Sequence, residues 1–162
     1  MMNNNAMTVI KPGQQTLIQD FGRFGLAHFG ITQGGPVDDY AYGWANHLLG
    51  NTTNCPSLEI TLGQAEFLIH SKCEMAITGG DLNARLDGVA IENWSTFVAR
   101  QGQTLTFSLP KNGLRSYLAV KAVLRLKLNL VAAPPSREIN SGVLSLASQY
   151  KQVKSLVSSL MR

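Results

Sequence analysis

The amino-acid sequence predicts a mainly β protein, a barrel or sandwich of short strands with one helix. Short runs rich in apolar and β-branched residues recur between glycine, aspartate and asparagine turn signals throughout residues 57–120. The clearest helical periodicity lies near residues 38–49. The composition, 44% hydrophobic and 15% charged, is that of a globular domain, and no run approaches the about eighteen apolar residues of a membrane span.

A glycine-rich loop is predicted between a first short apolar run, TLIQ, and the helix. Five glycines between residues 22 and 35 mark tight turns and close backbone approaches. The helix begins near Pro36 and Asp38, and Gly50-Asn51 ends it. Its apolar residues recur at helical spacing, which predicts one buried face made of Ala41, Trp44, Ala45, Leu48 and Leu49.

The rest of the first 120 residues is predicted to be strands. The segments SLEITLG, AEFLIHS and CEMAITGG are three of them, and ARLDGVAIEN is a hairpin that turns at Asp87-Gly88. The following segment, from Ser95 to Val120, adds two or three strands with turns at Gln101-Gly102 and Asn112-Gly113.

The net charge of +4 is unevenly distributed. Residues 1–120 contain seven basic and nine acidic residues, whereas residues 121–162 contain seven basic residues and one acidic residue. A mildly acidic domain with a basic tail is not the pattern of a nucleic-acid groove. We therefore expect no nucleic-acid partner and, without an apolar span, no membrane partner.

The start of the chain predicts the cellular location of the protein, and the spacing of its cysteines predicts their redox state. Residues 1–6 are expected to be a disordered leader, and no basic segment followed by an apolar one is present, so we expect a cytoplasmic protein. Cys55 and Cys73 show no CxxC spacing, and we interpret them as buried thiols rather than a disulfide. The three histidines have no metal-ligand spacing, so no metal site is predicted.

Polar residues in the glycine-rich loop are the first candidates for chemistry. Asp20 and Arg23 either form a salt bridge that orders the loop or present an arginine to a carboxylate or phosphate, and His28 lies in the same loop. The segment TGGDL, residues 78–82, is either a plain β-turn or an anion-binding turn, and it lacks a nucleotide-binding pattern. Glu59 lies in a strand and is either solvent-facing or a paired, inward acid.

Several separate motifs resemble those of the biotin-dependent carboxyltransferase family. This family is also called allophanate hydrolase subunit 2 and includes the 5-oxoprolinase C-subunit and the antagonist of a bacterial kinase inhibitor. The motifs are QTLIQDFGRFGLAHFGITQGGPVDDYAYGWANHLLGN, LEITLGQAEF, AITGGDLNARLDGVAI and RSYLAV, in the family's order between Met7 and Val120. The resemblance implies a cyclophilin-like β-barrel, which is incomplete in this chain.

The resemblance also implies a function and partners. It implies ATP-dependent opening of 5-oxoproline to glutamate, with ATP used at the level of a complex and biotin only in fused relatives. The partners would be a sister protein of the allophanate hydrolase subunit 1 or 5-oxoprolinase B-subunit type, and a lactam-utilisation protein. Matching motif positions give the catalytic candidates Asp20, Arg23, His28 and Asp81. The substrate-binding candidates are Gln19, Gly35, Asp38, Glu59, Gly79 and Arg115.

Residues 121–162 depart from the family. In a reading frame one base earlier, KAVLR at 121–125 can read K-G-G-F-K and LVAAPP at 130–135 can read F-G-S-R-S-T, as the family has there. We therefore predict a truncated carboxyltransferase-type domain at 7–120 and a frameshifted tail at 121–162. The rival interpretation is an evolved tail whose apolar residues follow helical spacing.

Three functions remain open from the sequence. The first is a truncated component of a 5-oxoprolinase or allophanate-hydrolase-like complex that is inactive alone. The alternatives are a regulatory protein that sequesters a kinase inhibitor, and a pseudogene remnant.

Overall fold

The computed structural model describes residues 6–22, 25, 27–30, 33–121 and 131–132. The chain divides into two compact units, residues 1–131 and 132–162. The predictions for the leader before Ala6 lie outside the described residues, as do those for the tail after Lys121, except Val131–Ala132. Ala6 itself is buried, and its carbonyl accepts a hydrogen bond from the His70 amide at 2.9 Å.

The described residues form two antiparallel sheets and one α-helix, which confirms the predicted mainly β class. The elements in chain order are β1 (Met7–Pro12), β2 (Gln15–Gln19), a 3₁₀ turn (Ala27–Phe29), α1 (Asp39–Leu48), β3 (Ser57–Thr61), β4 (Ala65–Ile69), β5 (Cys73–Asp81), β6 (Arg85–Leu86), β7 (Val89–Ala90), β8 (Ser95–Ala99), β9 (Thr104–Thr106), β10 (Asn112–Val120) and β11 (Val131–Ala132). One sheet has the order β11-β1-β4-β9-β6-β7 and the other β2-β3-β10-β5-β8. Among the described residues, no pairing closes the two sheets into one continuous barrel.

The chain passes from one sheet to the other at two sharp corners, and these two corners are in contact with each other. Gly13, between β1 and β2, and Gly63, between β3 and β4, both have positive φ values, of 68° and 69°. A Cβ on Gly13 would collide with the Gly63 carbonyl, and one on Gly63 with the Ser108 carbonyl. Glycine is therefore required at both corners. The corners place β2 beside β3, and β3 beside β10, which is where the candidate site lies.

In the second sheet, the end of strand β10 is buried on both faces. The strand ends with five consecutive buried residues, Ser116 to Val120. Leu118 and Val120 pack in a core cluster with residues of both sheets, whereas Tyr117 and Ala119 pack beneath α1. Because both faces are covered, this strand has a continuous apolar sequence rather than an alternating one.

The predicted helix is confirmed, and so is most of its predicted buried face: Ala41, Ala45 and Leu49 are buried and Leu48 is partly buried, whereas the prediction for Trp44 is wrong. Asp38 caps α1, since its Oδ1 accepts a hydrogen bond from the Ala41 amide at 2.9 Å. Trp44 is exposed. Tyr42 and Asn46 are buried as well, and both donate hydrogen bonds to the Cys55 carbonyl, at 2.8 and 2.9 Å. The spacing of apolar residues did not predict the burial of Tyr42 and Asn46, because a tyrosine and an asparagine can be buried when they have polar partners. No helix in the described part of the chain is long and apolar enough to cross a membrane.

Two predicted turns are strand residues in the structure. The hairpin turn at Asp87-Gly88 is confirmed, with φ values of 49° and 82°, and so is the turn at Gln101-Gly102. By contrast, TGGD, residues 78–81, lies inside β5, and Asn112-Gly113 begins β10. A Cβ on Gly113 would lie 2.8 Å from the Gly80 Cα, so these glycines allow two strands to approach closely rather than turn.

The two cysteines behave as predicted. Both are buried, and they form no disulfide with each other. Burial raises the pKa of the Cys55 and Cys73 thiols, which keeps them in the protonated, unreactive form.

Tyr42 and Trp44 lie two residues apart in α1 but differ in burial, so their removal should differ sharply in its effect on the free energy of unfolding. We expect Tyr42→Ala to lower the free energy of unfolding by about 3–5 kcal/mol, because it opens a cavity and removes a buried hydrogen bond. Trp44→Ala is the matched control and should cost less than about 1 kcal/mol. Urea unfolding followed by circular dichroism measures both. Equal losses for the two variants would contradict the observed face of the helix.

Candidate functional site

Glu59 is the centre of a buried polar network. Its side chain, in the middle of β3, is only 3% exposed. Its Oε2 accepts hydrogen bonds from the Tyr117 hydroxyl at 2.7 Å and from the Val37 amide at 2.9 Å. Its Oε1 lies 3.5 Å from the Arg115 Nε. Glu59 is therefore an inward, paired acid, the second of the two possibilities that the sequence left open.

The Tyr117 hydroxyl links Glu59 to the start of α1. It donates to Glu59 and accepts a hydrogen bond from the Asp38 amide at 2.9 Å. Burial, and next the hydrogen bond to Glu59, raise the pKa of Tyr117. The hydroxyl therefore keeps its proton and remains a donor to the carboxylate.

Strand β5 holds the other side of the first turn of α1. The Thr78 hydroxyl donates to the Ala41 carbonyl at 2.6 Å and is fully buried. The next carbonyl, of Gly79, accepts from the Asn93 side-chain amide at 2.8 Å and from the Trp94 indole at 3.1 Å. The helix N-terminus, the end of β5 and the segment before β8 thus share one region of the surface.

Arg115 is the cationic side chain of the network, and solvent can reach it. Its side chain is one third exposed, whereas Glu59 is enclosed. The Arg115 Nε is buried and forms no hydrogen bond within the described residues. At 3.5 Å from Glu59 the contact is an ion pair and not a well-formed hydrogen bond. A guanidinium anchored in this way can bind an anionic group such as a carboxylate.

The glycine-rich loop approaches the network from the β2 side. Asp20 Oδ1 accepts a hydrogen bond from the Gly22 amide at 3.0 Å, which forms a local turn. A Cβ on Gly35 would lie 3.0 Å from the Phe21 carbonyl oxygen, so the two arms of the loop are in close contact. The pKa of Tyr42 is raised mainly by burial and secondly by the negative charge of Asp20, which places that carboxylate near α1.

The structure brings some of the predicted site residues together and separates others. Asp38, Glu59 and Arg115 belong to one network, and Gly35 and Gly79 flank it. Gln19 lies at the end of β2, paired with Ser57.

The remaining predicted residues have other surroundings. Asp81 is outside the network, with its Oδ2 3.9 Å from the Lys111 Nζ and its Oδ1 accepting from the Asn83 amide. His28 is exposed and lies against Phe29, with ring centroids 4.0 Å apart. Arg23 lies outside the described residues. Among the described residues, no group of three or more metal-binding side chains occurs.

Sequence reasoning missed Tyr117 and Trp94. Tyr117 is the cross-strand partner of Glu59, since β10 pairs antiparallel with β3 in that register. A signal was present, because an acid inside an apolar strand needs a buried donor and a strand tyrosine can supply it. The pairing register that joins the two was not readable from the sequence.

Comparisons with known proteins show which proteins this chain is similar to. The family described as "Carboxyltransferase domain, subdomain A and B" matches residues 29–137. The chain is 41% identical over 114 residues to the 5-oxoprolinase C-subunit of Escherichia coli, covering 70% of this chain and 37% of that protein. It is 34% identical over 117 residues to the urea amidolyase of Saccharomyces cerevisiae, covering 72% of this chain and 6% of that protein.

Solved structures give the same relationship. The crystal structure of the K. lactis urea amidolyase matches with a TM-score of 0.68 and 33% identity, over 71% of this chain and 7% of that one. The K. lactis urea carboxylase structure matches with a TM-score of 0.68 and 33% identity, over 71% of this chain and 10% of that one. The chain spans well under half the length of each of these relatives.

The Tyr117 hydroxyl should matter far more for stability than an exposed tyrosine hydroxyl. In Tyr117→Phe, Glu59 loses one donor and the Asp38 amide loses its acceptor. We expect a loss of about 1–3 kcal/mol in the free energy of unfolding. Tyr40→Phe, which changes a mostly exposed side chain, is the control and should stay within about 0.5 kcal/mol. A Tyr117→Phe protein as stable as this control would show that the network contributes nothing.

Proposed function

The chain belongs to the carboxyltransferase domain family, and from this premise we propose that it acts in an ATP-dependent 5-oxoprolinase-like complex. The reaction would open the cyclic amide of 5-oxoproline to give glutamate. The observation that carries this choice is the 41% identity to the 5-oxoprolinase C-subunit of Escherichia coli, over 70% of this chain. The identity to the yeast urea amidolyase is lower, at 34%.

In this proposal Arg115 binds the carboxylate of the substrate. 5-Oxoproline carries a carboxylate beside its ring amide, and a guanidinium is the side chain best suited to hold it. Arg115 is one third exposed and is anchored from behind by the enclosed Glu59. Glu59 and Tyr117 act as positioning residues that fix Arg115 and the segment before α1. Asp20, His28 and Asp81 remain the candidates for proton transfer, and Arg23 is a candidate for binding a carboxylate or phosphate.

We propose that ATP binds on other members of the complex. The glycine pair of β5 does not fit a phosphate cradle, because the backbone of β10 fills the space beside it. A Cβ on Gly79 would lie 2.6 Å from the Arg115 carbonyl oxygen, and one on Gly80 would lie 3.0 Å from the same atom. A phosphate, which is larger than a methyl group, has no room there. We propose no biotin site on this chain.

The alternative reading frame of residues 121–135 bears on the activity that we propose. The matched part of this 162-residue chain spans 37% of the 5-oxoprolinase C-subunit of Escherichia coli. We propose that the chain is inactive alone and that activity needs the longer, frame-restored chain together with partner proteins. The partners would be a protein of the 5-oxoprolinase B-subunit type and a lactam-utilisation protein.

Reconstitution tests the proposal. The frame-restored chain, mixed with the two partner proteins, should hydrolyse ATP only when 5-oxoproline is added, and the 162-residue chain alone should not. In the reconstituted complex Arg115→Ala should raise the KM for 5-oxoproline by about tenfold or more, because a charge-assisted contact is worth roughly 1.5–3 kcal/mol. Arg85→Ala, which removes an exposed arginine on β6, should leave KM unchanged.

Two results would overturn the proposal. Substrate-independent ATP hydrolysis by the reconstituted complex would exclude 5-oxoproline as the substrate. An unchanged KM in Arg115→Ala, with the variant folded, would exclude Arg115 as the carboxylate-binding group.

A further inference from the structure

Three aromatic side chains form an exposed row beside the start of α1. Tyr40, Trp44 and Trp94 are 65%, 38% and 43% exposed. The ring centroids of Tyr40 and Trp44 lie 6.1 Å apart, and those of Tyr40 and Trp94 lie 5.9 Å apart. We call these three residues the aromatic row. Neighbouring rings are in contact, yet each leaves much of its surface uncovered.

The backbone at Trp94 is held in a conformation that fixes the row. Trp94 has a φ of 58°, which is rare for a bulky residue. Its indole nitrogen donates to the Gly79 carbonyl at 3.1 Å, beside the Asn93 side-chain amide at 2.8 Å. The fold therefore accepts a strained residue and fixes its ring against Tyr40. Strain of this kind is concentrated at functional sites.

The area of the row limits what can cover it. A whole aromatic side chain has roughly 150–250 Å² of surface. Multiplied by the exposed fractions of the three residues, this gives an exposed aromatic area on the order of 300 Å². A patch of that size is often functional on a monomer. It is smaller than the roughly 800 Å² per partner of a standard protein–protein interface. The area fits a short segment better than a second copy of this domain.

Two acidic residues near the row in sequence are exposed and have no ion-pair partner among the described residues. Asp39 precedes Tyr40, and Glu92 lies two residues before Trp94. Among the described residues, neither carboxylate forms an ion pair, whereas Lys11, Lys111 and Lys121 are paired with acids elsewhere. A ligand for this surface would therefore carry positive charge on a planar or apolar group.

We propose that the aromatic row docks an extended, arginine-bearing segment of a partner protein. Guanidinium groups stack on tryptophan and tyrosine rings and pair with carboxylates at the same time. In this arrangement the guanidinium planes lie on the row while Asp39 and Glu92 supply the opposite charge. The site takes part in assembly and does not depend on the reaction proposed above.

The two tryptophans of the chain allow a direct test, because both belong to the row. Titrating the full chain with a hexa-arginine peptide should quench their fluorescence to saturation. A hexalysine peptide should bind more weakly, since an ammonium group has no plane to stack, and a hexaglutamate peptide should not bind. Tyr40→Ala combined with Trp44→Ala should weaken hexa-arginine binding about 4- to 25-fold, since each exposed cation–π contact is worth a factor of about two to five.

Controls separate this result from unfolding and from general charge attraction. Circular dichroism checks that the double variant keeps α1. Leu109→Ala, at an exposed apolar residue outside the row, should keep the wild-type affinity. Asp39→Asn combined with Glu92→Gln leaves the three aromatic residues unchanged and should still weaken hexa-arginine binding.

Two results would overturn the proposal. One is an unchanged affinity for hexa-arginine in the folded aromatic double variant. The other is a wild-type dimer in sedimentation that becomes monomeric in that variant, because a second copy would then cover the row.

Discussion

The buried carboxylate of Glu59 is the constraint on which the rest of the site depends. A charge enclosed to this degree is tolerated only with several donors around it. Here the donors come from distant parts of the chain: the Val37 amide 22 residues before it, and Tyr117 58 residues after it. Removing one hydrogen-bond donor of such a group costs about 1–3 kcal/mol. The loop before α1 is therefore tied by one side chain to β3 and to β10, the strand that pairs with β3.

The same constraint orients the helix. With Asp38 and Val37 fixed, α1 begins over β5 and β10, where Thr78 binds the Ala41 carbonyl. At its other end, Asn51 donates to both Asn46 and the Val120 carbonyl, at 2.9 and 3.0 Å. Both ends of α1 are thus tied to the ends of the same sheet. Arg115 and the aromatic row remain partly exposed at the surface.

Local sequence patterns predicted the elements but not the way they meet. The helix, the strands from Ser57 to Val120 and the turn at Asp87-Gly88 follow from propensity and turn chemistry, which act over a few residues. The burial of Tyr42 in place of Trp44 depends on the Cys55 carbonyl, and the role of Tyr117 depends on cross-strand register. The glycines of TGGD predicted a turn, whereas they serve the close approach of β5 and β10. Such long-range contacts have no signature within a short window of sequence.

Amide hydrogen exchange at Val37 and Asp38 tests most directly whether the Glu59 network holds the loop to the sheet. These two amides lie outside any helix or strand, and their acceptors are the Glu59 and Tyr117 side chains. Both should exchange as slowly as the amides of β3 and β10, and Tyr117→Phe should speed exchange at Asp38 far more than at the strands. Exchange at the rate of an exposed turn such as Asp87-Gly88 in the unaltered protein would show that the network does not hold the loop.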